Sequence, residues 1–321
     1  MLKRGADADV DDLVARARAG QARAVGRLVS MVEDGSPQLR EVMAALLPHA
    51  GHAQVVGITG SPGVGKSTAT SALVAELRKA GKRVGVLAID PSSPFSGGAL
   101  LGDRVRMQDH ATDPGVYIRS MASRGHLGGL SWTTPQALRV LDAAGCDVVI
   151  VETVGVGQSE VEIAGLADTT LVLMAPGLGD GIQAAKAGIL EIGDVYVVNK
   201  ADREGAEQVR RELRSMVALG DRPSEGWKPP IVLTVATSGR GLDEVVAEID
   251  RHRAWLEGSG ELAKRRTRRA REEIEAIAIA ALRERWESVS GHEDLDALAA
   301  AVASHDTDPY AAADELLDRG P

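Results

Sequence analysis

The segment Gly60-Ser61-Pro62-Gly63-Val64-Gly65-Lys66-Ser67 constrains the fold more than any other part of the chain. It follows the apolar run VVGIT and precedes the helix-forming run STATSALVAELRKAG, so it turns the chain from a strand into a helix. Its spacing, G-x-x-x-x-G-K-[S/T], is that of a loop whose backbone N–H groups converge on phosphate oxygens. An ordinary glycine-rich turn is the alternative, but motif and context together favour the phosphate-binding loop.

Two side chains of this loop carry chemistry. Lys66 can reach the β- and γ-phosphates of a nucleotide, and the Ser67 hydroxyl can bind Mg²⁺. The helix N-terminus adds the positive end of its dipole. The residues predicted to bind phosphate are Gly60, Ser61, Pro62, Gly63, Val64, Gly65, Lys66, Ser67 and Thr68.

Seven short apolar runs alternate with helical segments from Gln54 onward. Most are rich in Val and Ile without polar alternation, which indicates strands buried on both faces of a largely parallel sheet. The predicted strands cover residues 55–59, 83–90, 116–121, 147–152, 169–175, 194–199 and 230–235. Because helical stretches between them complete βαβ units, we expect an α/β fold with a mostly parallel sheet flanked by helices.

Helical patterns without strand signals occupy both ends of the chain. We expect an N-terminal helical extension over residues 1–50, the α/β domain over 51–258, and a C-terminal helical region over 259–321. The C-terminal pattern predicts one long helix over 261–289, followed by two short helices in 292–305 and 308–317.

Composition excludes several classes of protein. Forty-six acidic against 37 basic residues give a net charge of −9, which is unfavourable for binding nucleic acid through its phosphates. No apolar run reaches the ~18 residues of a membrane span, and the first ten residues lack a signal-peptide core. Cys146, the only cysteine, allows no disulfide within the chain and no cysteine-rich zinc site, and we expect it to be inert core. We therefore expect a cytoplasmic protein that binds neither nucleic acid nor membrane.

A candidate base-recognition motif follows the predicted strand over 194–199. Asn199-Lys200-Ala201-Asp202 fits the pattern N-K-x-D, whose Asp carboxylate can accept hydrogen bonds from N1–H and N2–H₂ of guanine. A helix-capping Asp is the alternative interpretation of so short a match. One strand later, the backbone of Ala236, Thr237 and Ser238 is placed to contact guanine O6. With the phosphate loop earlier in the chain, these motifs favour GTP and GDP over ATP.

Acidic residues at strand ends form the predicted Mg²⁺-binding part of the site. Glu152 ends the strand DVVIVE, and Asp90 ends the strand RVGVLAID. Asp103 follows in the loop after Asp90. Ligands of α/β sheets bind at the carboxyl ends of the strands, so Ser67, Asp90, Asp103 and Glu152 are the predicted Mg²⁺ ligands. A helix cap for Asp90 and a solvated loop position for Asp103 are the alternatives.

The combination of GSPGVGKST, VETVGVGQSE, APGLGDGIQAAKAGILEI and NKAD resembles the MeaB/ArgK family of P-loop GTPases, relatives of the nickel-insertion GTPases. The resemblance runs from about Arg27 to Tyr310. It implies Mg²⁺-dependent GTP hydrolysis and a homodimer formed through the C-terminal helices. It also implies a partner, methylmalonyl-CoA mutase or a related B12-dependent mutase, for which the family loads and protects adenosylcobalamin.

The resemblance also implies roles for single residues. Lys66, Asp90 and Glu152 are the expected catalytic residues. Asn199, Lys200 and Asp202 match the family's base-recognition motif. The mobile loop that couples the family to its mutase corresponds to Gly177, Asp180, Gln183 and Lys186.

Two other functions stay open from the sequence. A P-loop kinase would transfer the phosphate to a small molecule or protein rather than to water. A metal-insertion GTPase would usually need clustered Cys and His residues, and this chain has one Cys and seven scattered His. No residue stands out as a general base for the attacking water. We therefore expect slow intrinsic GTP hydrolysis, with the geometry of the catalytic site completed by a partner.

Overall fold

The computed structural model shows two compact units, Met1–Arg266 and Thr267–Pro321. The domain boundaries expected at residues 50 and 258 stay predictions. The residues that the structure describes are 9–90, 108–110, 112–122, 133–153, 159–177, 189–219 and 226–318.

A seven-stranded sheet forms the centre of the first unit. Its strands are β1 Gln54–Thr59, β2 Val84–Asp90, β3 Val116–Ala122, β4 Val148–Thr153, β5 Thr169–Met174, β6 Val195–Val198 and β7 Ile231–Leu233. They lie in the order β3-β2-β4-β1-β5-β6-β7, and every neighbouring pair is parallel. The expected α/β fold is confirmed, and all seven predicted strands are present.

The described part of the chain contains eleven α-helices. They are α1 Val10–Arg18, α2 Ala22–Glu33, α3 Leu39–Leu46, α4 Lys66–Lys79, α5 Thr134–Ala143, α6 Ser159–Leu166, α7 Ile189–Ile192, α8 Ala206–Leu219, α9 Leu242–Ser259, α10 Glu261–Ala303 and α11 Pro309–Asp318. Short 3₁₀ turns cover Leu47–His49, Gln108–His110 and Ala236–Ser238. None of the described helices combines the length and the apolar character that crossing a bilayer requires.

Both faces of the sheet are covered, which explains the absence of polar alternation in its strands. On one face, α4 and α9 contribute Leu73 and Val245 to a core with Ile150 of β4. On the other face, α5 and α6 pack with the N-terminal helices against residues such as Val149. The N-terminal helices thus share the core of the sheet.

The C-terminal helix α10 differs from its predicted length. It runs unbroken for 43 residues, so the separate short helix predicted over 292–305 is wrong. The prediction ended the long helix at residue 289 and began the next one at residue 292, which leaves Ser290 and Gly291 between them. A single Gly, such as Gly291, costs a helix only about 1 kcal/mol relative to Ala, which a helix of 43 residues tolerates.

Candidate functional site

The predicted phosphate-binding loop joins β1 to α4 at the carboxyl edge of the sheet. Gly60, Gly63 and Gly65 have φ angles of 140°, 82° and 96°, which side chains with a Cβ rarely adopt. A Cβ on Gly60 would also collide with the carbonyl oxygen of Leu173 in β5. The loop therefore needs glycine at all three positions for its conformation, and at Gly60 also for its close approach to β5.

The Lys66 ammonium lies inside this loop. Its side chain is buried, and Nζ donates to the carbonyl oxygens of Gly60 at 2.6 Å and Ser61 at 3.2 Å. Lys66 is also the first residue of α4, where the helix dipole is positive. The Lys66 ammonium and the N-terminus of α4 therefore place positive charge where the sequence predicts that the phosphates of a nucleotide bind.

Ser67 and Glu152 meet beside the loop. The Ser67 hydroxyl donates to Oε1 of Glu152 at 2.6 Å, and Glu152 is 4% exposed near the end of β4. A hydroxyl and a carboxylate are the hard oxygen donors that Mg²⁺ prefers, so this pair fits the predicted metal. Across the described ranges, no three His, Cys, Asp or Glu side chains gather into a metal-binding group. Any further ligands to a cation here would come from phosphates, from water, or from acids outside those ranges.

The remaining predicted metal ligands are only partly described. Asp90 ends β2, which neighbours β4 in the sheet, with Ala88 paired to Glu152. The side chain of Asp90 and the whole of Asp103 lie outside the described residues. Their roles stay predictions.

Asn199 connects the base-recognition motif to the phosphate loop. Its side chain is 2% exposed, and its amide donates to the carbonyl oxygen of Val64 at 2.9 Å. Its side-chain oxygen accepts hydrogen bonds from the backbone N–H of Ala236 at 3.1 Å and from Thr234 Oγ1 at 3.3 Å. One side chain therefore holds three loops together. The sequence analysis did not predict the contact between Thr234 and Asn199, for which the only signal was a hydroxyl at the end of the last strand.

Lys200 makes a second link to the phosphate loop. It has a left-handed φ of 57°, and its ammonium donates to the carbonyl oxygen of Gly63 at 2.6 Å. The next residue, Ala201, donates its backbone N–H to the Thr234 carbonyl at 2.9 Å. Asp202, which follows, is exposed. The motif thus presents its carboxylate to solvent from a turn that is fixed on both sides.

The last predicted contact to the base falls in the 3₁₀ turn Ala236–Ser238. Ala236 is buried against the Asn199 side chain, whereas Thr237 and Ser238 are exposed. The structure therefore brings the phosphate loop, the N-K-x-D motif and this turn together, as predicted. Whether each residue binds nucleotide stays a prediction.

The predicted coupling loop is described only at its start. Gly177 is exposed, follows the carboxyl end of β5, and has a φ of 79°. Asp180, Gln183 and Lys186 lie outside the described residues.

Cysteine chemistry is excluded as an alternative. Cys146 is 2% exposed, and burial raises the pKa of its thiol to about 12. Since the thiolate is the reactive form, Cys146 is an inert core residue at neutral pH, as expected.

An all-parallel sheet with this loop and an N-K-x-D motif bonded to it defines a P-loop GTPase, an enzyme that hydrolyses GTP. The family model of the Methylmalonyl Co-A mutase-associated GTPase MeaB matches residues 25–290. This chain therefore belongs to the MeaB family.

Individual relatives agree with this assignment. A protein of Pyrococcus horikoshii is 49% identical over 97% of this chain and 98% of its own length. The GTPase ArgK of Escherichia coli is 37% identical over 80% of this chain and 80% of its own length. A crystal structure titled LAO/AO transport system kinase superimposes with a TM-score of 0.74 at 26% identity, covering 98% of this chain and 99% of the other.

Proposed function

We propose that this chain hydrolyses GTP to GDP and phosphate with Mg²⁺, and uses this reaction to chaperone an adenosylcobalamin-dependent methylmalonyl-CoA mutase. The observation that carries the choice of GTP is the position of Asn199. By bonding to Val64 and Ala236, Asn199 places the base-recognition turn beside the phosphate loop. One nucleotide could then contact both.

Guanine selection would come from Asp202. Its exposed carboxylate accepts hydrogen bonds from N1–H and N2–H₂ of guanine, which adenine lacks. A desolvated carboxylate facing adenine would lose about 1–3 kcal/mol. Lys200, bonded to Gly63, holds the turn that carries Asp202 against the phosphate loop.

Hydrolysis would rest on positioning and electrostatics. Lys66 and the loop N–H groups offset negative charge on the γ-phosphoryl group while water attacks in line. Ser67 and Glu152 would hold Mg²⁺, with Asp90 and Asp103 as the further acids of the site. Mg²⁺ bound there would supply positive charge that offsets the charge of the nucleotide phosphates.

A homodimer is part of this proposal. On α10, Ile274, Ile277 and Leu282 are 68%, 42% and 57% exposed. Ile274 and Ile277 share a face of the helix because they are three residues apart, and Leu282, eight residues after Ile274, lies about 80° around the helix from it. Because large apolar side chains exposed close together are typical of an interaction surface, we assign this part of α10 to a second copy of the chain.

The mutase partner is supported by the description of the family, which names a methylmalonyl-CoA mutase. Gly177 begins the loop that would report the nucleotide state, followed in the sequence by Asp180, Gln183 and Lys186. This loop follows β5 on the edge of the sheet that carries the phosphate loop.

The first experiment follows labelled GTP with and without EDTA. We expect free phosphate, hydrolysis that stops in EDTA, and no competition by ATP. A phosphorylated product other than phosphate would indicate a kinase, and equal rates in EDTA would contradict the Mg²⁺ mechanism.

The second experiment adds purified methylmalonyl-CoA mutase. We expect co-elution in gel filtration and faster hydrolysis, and we expect Lys186→Ala to abolish this stimulation while basal hydrolysis remains. If the mutase neither binds nor stimulates the wild-type chain, the chaperone role is wrong, although the GTPase activity would stand.

A further inference from the structure

Two consecutive arginines attach the first turns of α10 to the amino edge of the sheet. The Arg265 guanidinium donates to both carboxylate oxygens of Asp194 at 2.9 Å, and to the carbonyl oxygen of Asp168 at 2.9 Å. Arg266 donates to the Asp168 carboxylate at 3.1 Å and to two backbone carbonyl oxygens within residues 51–53, at 2.8 and 3.1 Å. Ion pairs and hydrogen bonds therefore hold the start of α10 in place.

The two aspartates belong to the sheet rather than to α10. Asp168 and Asp194 directly precede β5 and β6, and both are buried. Asp168 Oδ2 also accepts the backbone N–H of Val55 in β1 at 3.0 Å, and Asp194 Oδ2 accepts that of Thr170 in β5 at 2.9 Å. Because these bonds do not involve α10, we expect both carboxylates to keep their positions when the helix moves away.

Apolar packing contributes little to the attachment of α10. Among the described residues, no buried apolar side chain comes from 261–266, and Leu262 is only half-buried. The preceding helix α9 differs, since its Val245 and Ile249 lie in a core of the sheet. Water can also reach the two arginines, whose side chains are 25% and 29% exposed. The attachment of α10 thus depends on charge rather than on a shared core.

A single glycine joins α9 to α10. Gly260 caps α9 with a left-handed φ of 74°, and α10 begins at the next residue. A Cβ at Gly260 would have no heavy atom within 4 Å beyond its chain neighbours, so the joint lies in open space. Glycine rotates about its backbone bonds with few steric barriers. A point of backbone freedom therefore directly precedes the polar attachment.

We infer that α10 is a hinged arm. Gly260 is its hinge, and the ion pairs of Arg265 with Asp194 and of Arg266 with Asp168 are the latch that holds the arm on the sheet. Opening the latch admits water to the two carboxylates, so neither charge stays buried without a partner. The nucleotide site lies at the opposite, carboxyl edge of the parallel strands and stays intact when the arm opens.

Distances between two spin labels test the hinge in the full chain. One label is placed on α9 through Ala247→Cys and the other on α10 through Thr267→Cys, both at exposed positions. Cys146 is buried and needs no replacement. A closed arm gives one narrow distance distribution, and an open arm adds a second, broader one. Raising NaCl from about 0.1 to 1 M should increase the open fraction severalfold in the otherwise wild-type chain, because salt screens the ion pairs.

Arg265→Ala removes the two-bond pair with Asp194, and Lys264→Ala is its matched control. The Lys264 ammonium pairs at the surface with Glu261 of the same helix, so its loss leaves the latch closed. Hydrogen bonds to charged groups are strong enough that Arg265→Ala should raise the ratio of open to closed arm by about ten- to a hundredfold. Lys264→Ala should give the wild-type distribution. GDP affinity should be the same in all three chains.

Four results would overturn the inference. They are a wild-type distance distribution in Arg265→Ala, an equal change in Lys264→Ala, a distribution that does not respond to salt, and a loss of GDP affinity in Arg265→Ala, which would show a general loosening of the sheet. If Arg265→Ala does not fold, Arg265→Lys replaces it, because an ammonium keeps the charge but cannot form the two-bond pair. The salt series on the otherwise wild-type chain needs no change in the latch.

Discussion

Replacing Asn199 by Ala should separate the phosphate loop from the base-recognition motif. The substitution removes three hydrogen bonds, to the Val64 carbonyl, the Ala236 N–H and the Thr234 hydroxyl. All three partners are buried, so they lose their partner in a place that water reaches poorly. The nucleotide-free chain can reduce the penalty of these unpaired groups if the phosphate loop and the base-recognition turn move apart. Nucleotide binding must then bring the two loops together again.

The expected loss of GDP affinity follows from the two backbone groups that lose a partner, the Val64 carbonyl and the Ala236 N–H. Each buried backbone group left without a partner costs about 1–3 kcal/mol, and partial access of water places the expected sum at about 2–4 kcal/mol. At 1.4 kcal/mol per factor of ten, GDP affinity should fall by about 30- to 1,000-fold. Thr234→Val is the control, since it removes only the 3.3 Å bond to Asn199 and should cost less than about 1 kcal/mol.

Calorimetric titration with GDP measures the loss of affinity, and urea unfolding of the nucleotide-free chain measures the loss of stability. We expect the larger part of the penalty in binding. If Asn199→Ala binds GDP as tightly as Thr234→Val does, Asn199 does not couple the two loops, and the structural basis for guanine recognition is refuted.

Three further outcomes are expected. Asp202→Asn should weaken GTP binding and favour xanthine nucleotides, because the new amide can donate to the C2 oxygen of xanthine; unchanged base preference in a competition assay would contradict this. Glu152→Gln should slow Mg²⁺-dependent hydrolysis far more than it weakens GDP binding, as single-turnover rates and titrations would show. His252 is fully buried against Trp227, and burial lowers its pKa from 6.5 to about 4. The unfolded chain therefore binds the proton more readily, and stability should fall by up to about 3 kcal/mol as the pH drops from 6.5 to 4, a loss that His252→Asn should reduce in urea unfolding.

Local patterns in the sequence determined the elements of this protein and the residue types at its site. The seven strands were predictable because buried parallel strands are short, apolar and rich in β-branched residues. The phosphate loop was predictable because its glycines, Lys66 and Ser67 lie within eight consecutive residues. A motif that lies within one short segment can be recognised without knowledge of tertiary contacts.

The tertiary structure alone decided which side chains and backbone groups of these segments bond to one another. The strand order β3-β2-β4-β1-β5-β6-β7 brings Ser67 to Glu152 across 85 residues and Asn199 to Val64 across 135. No periodicity or motif encodes such pairs, because they follow from how the helices and strands pack around one shared core.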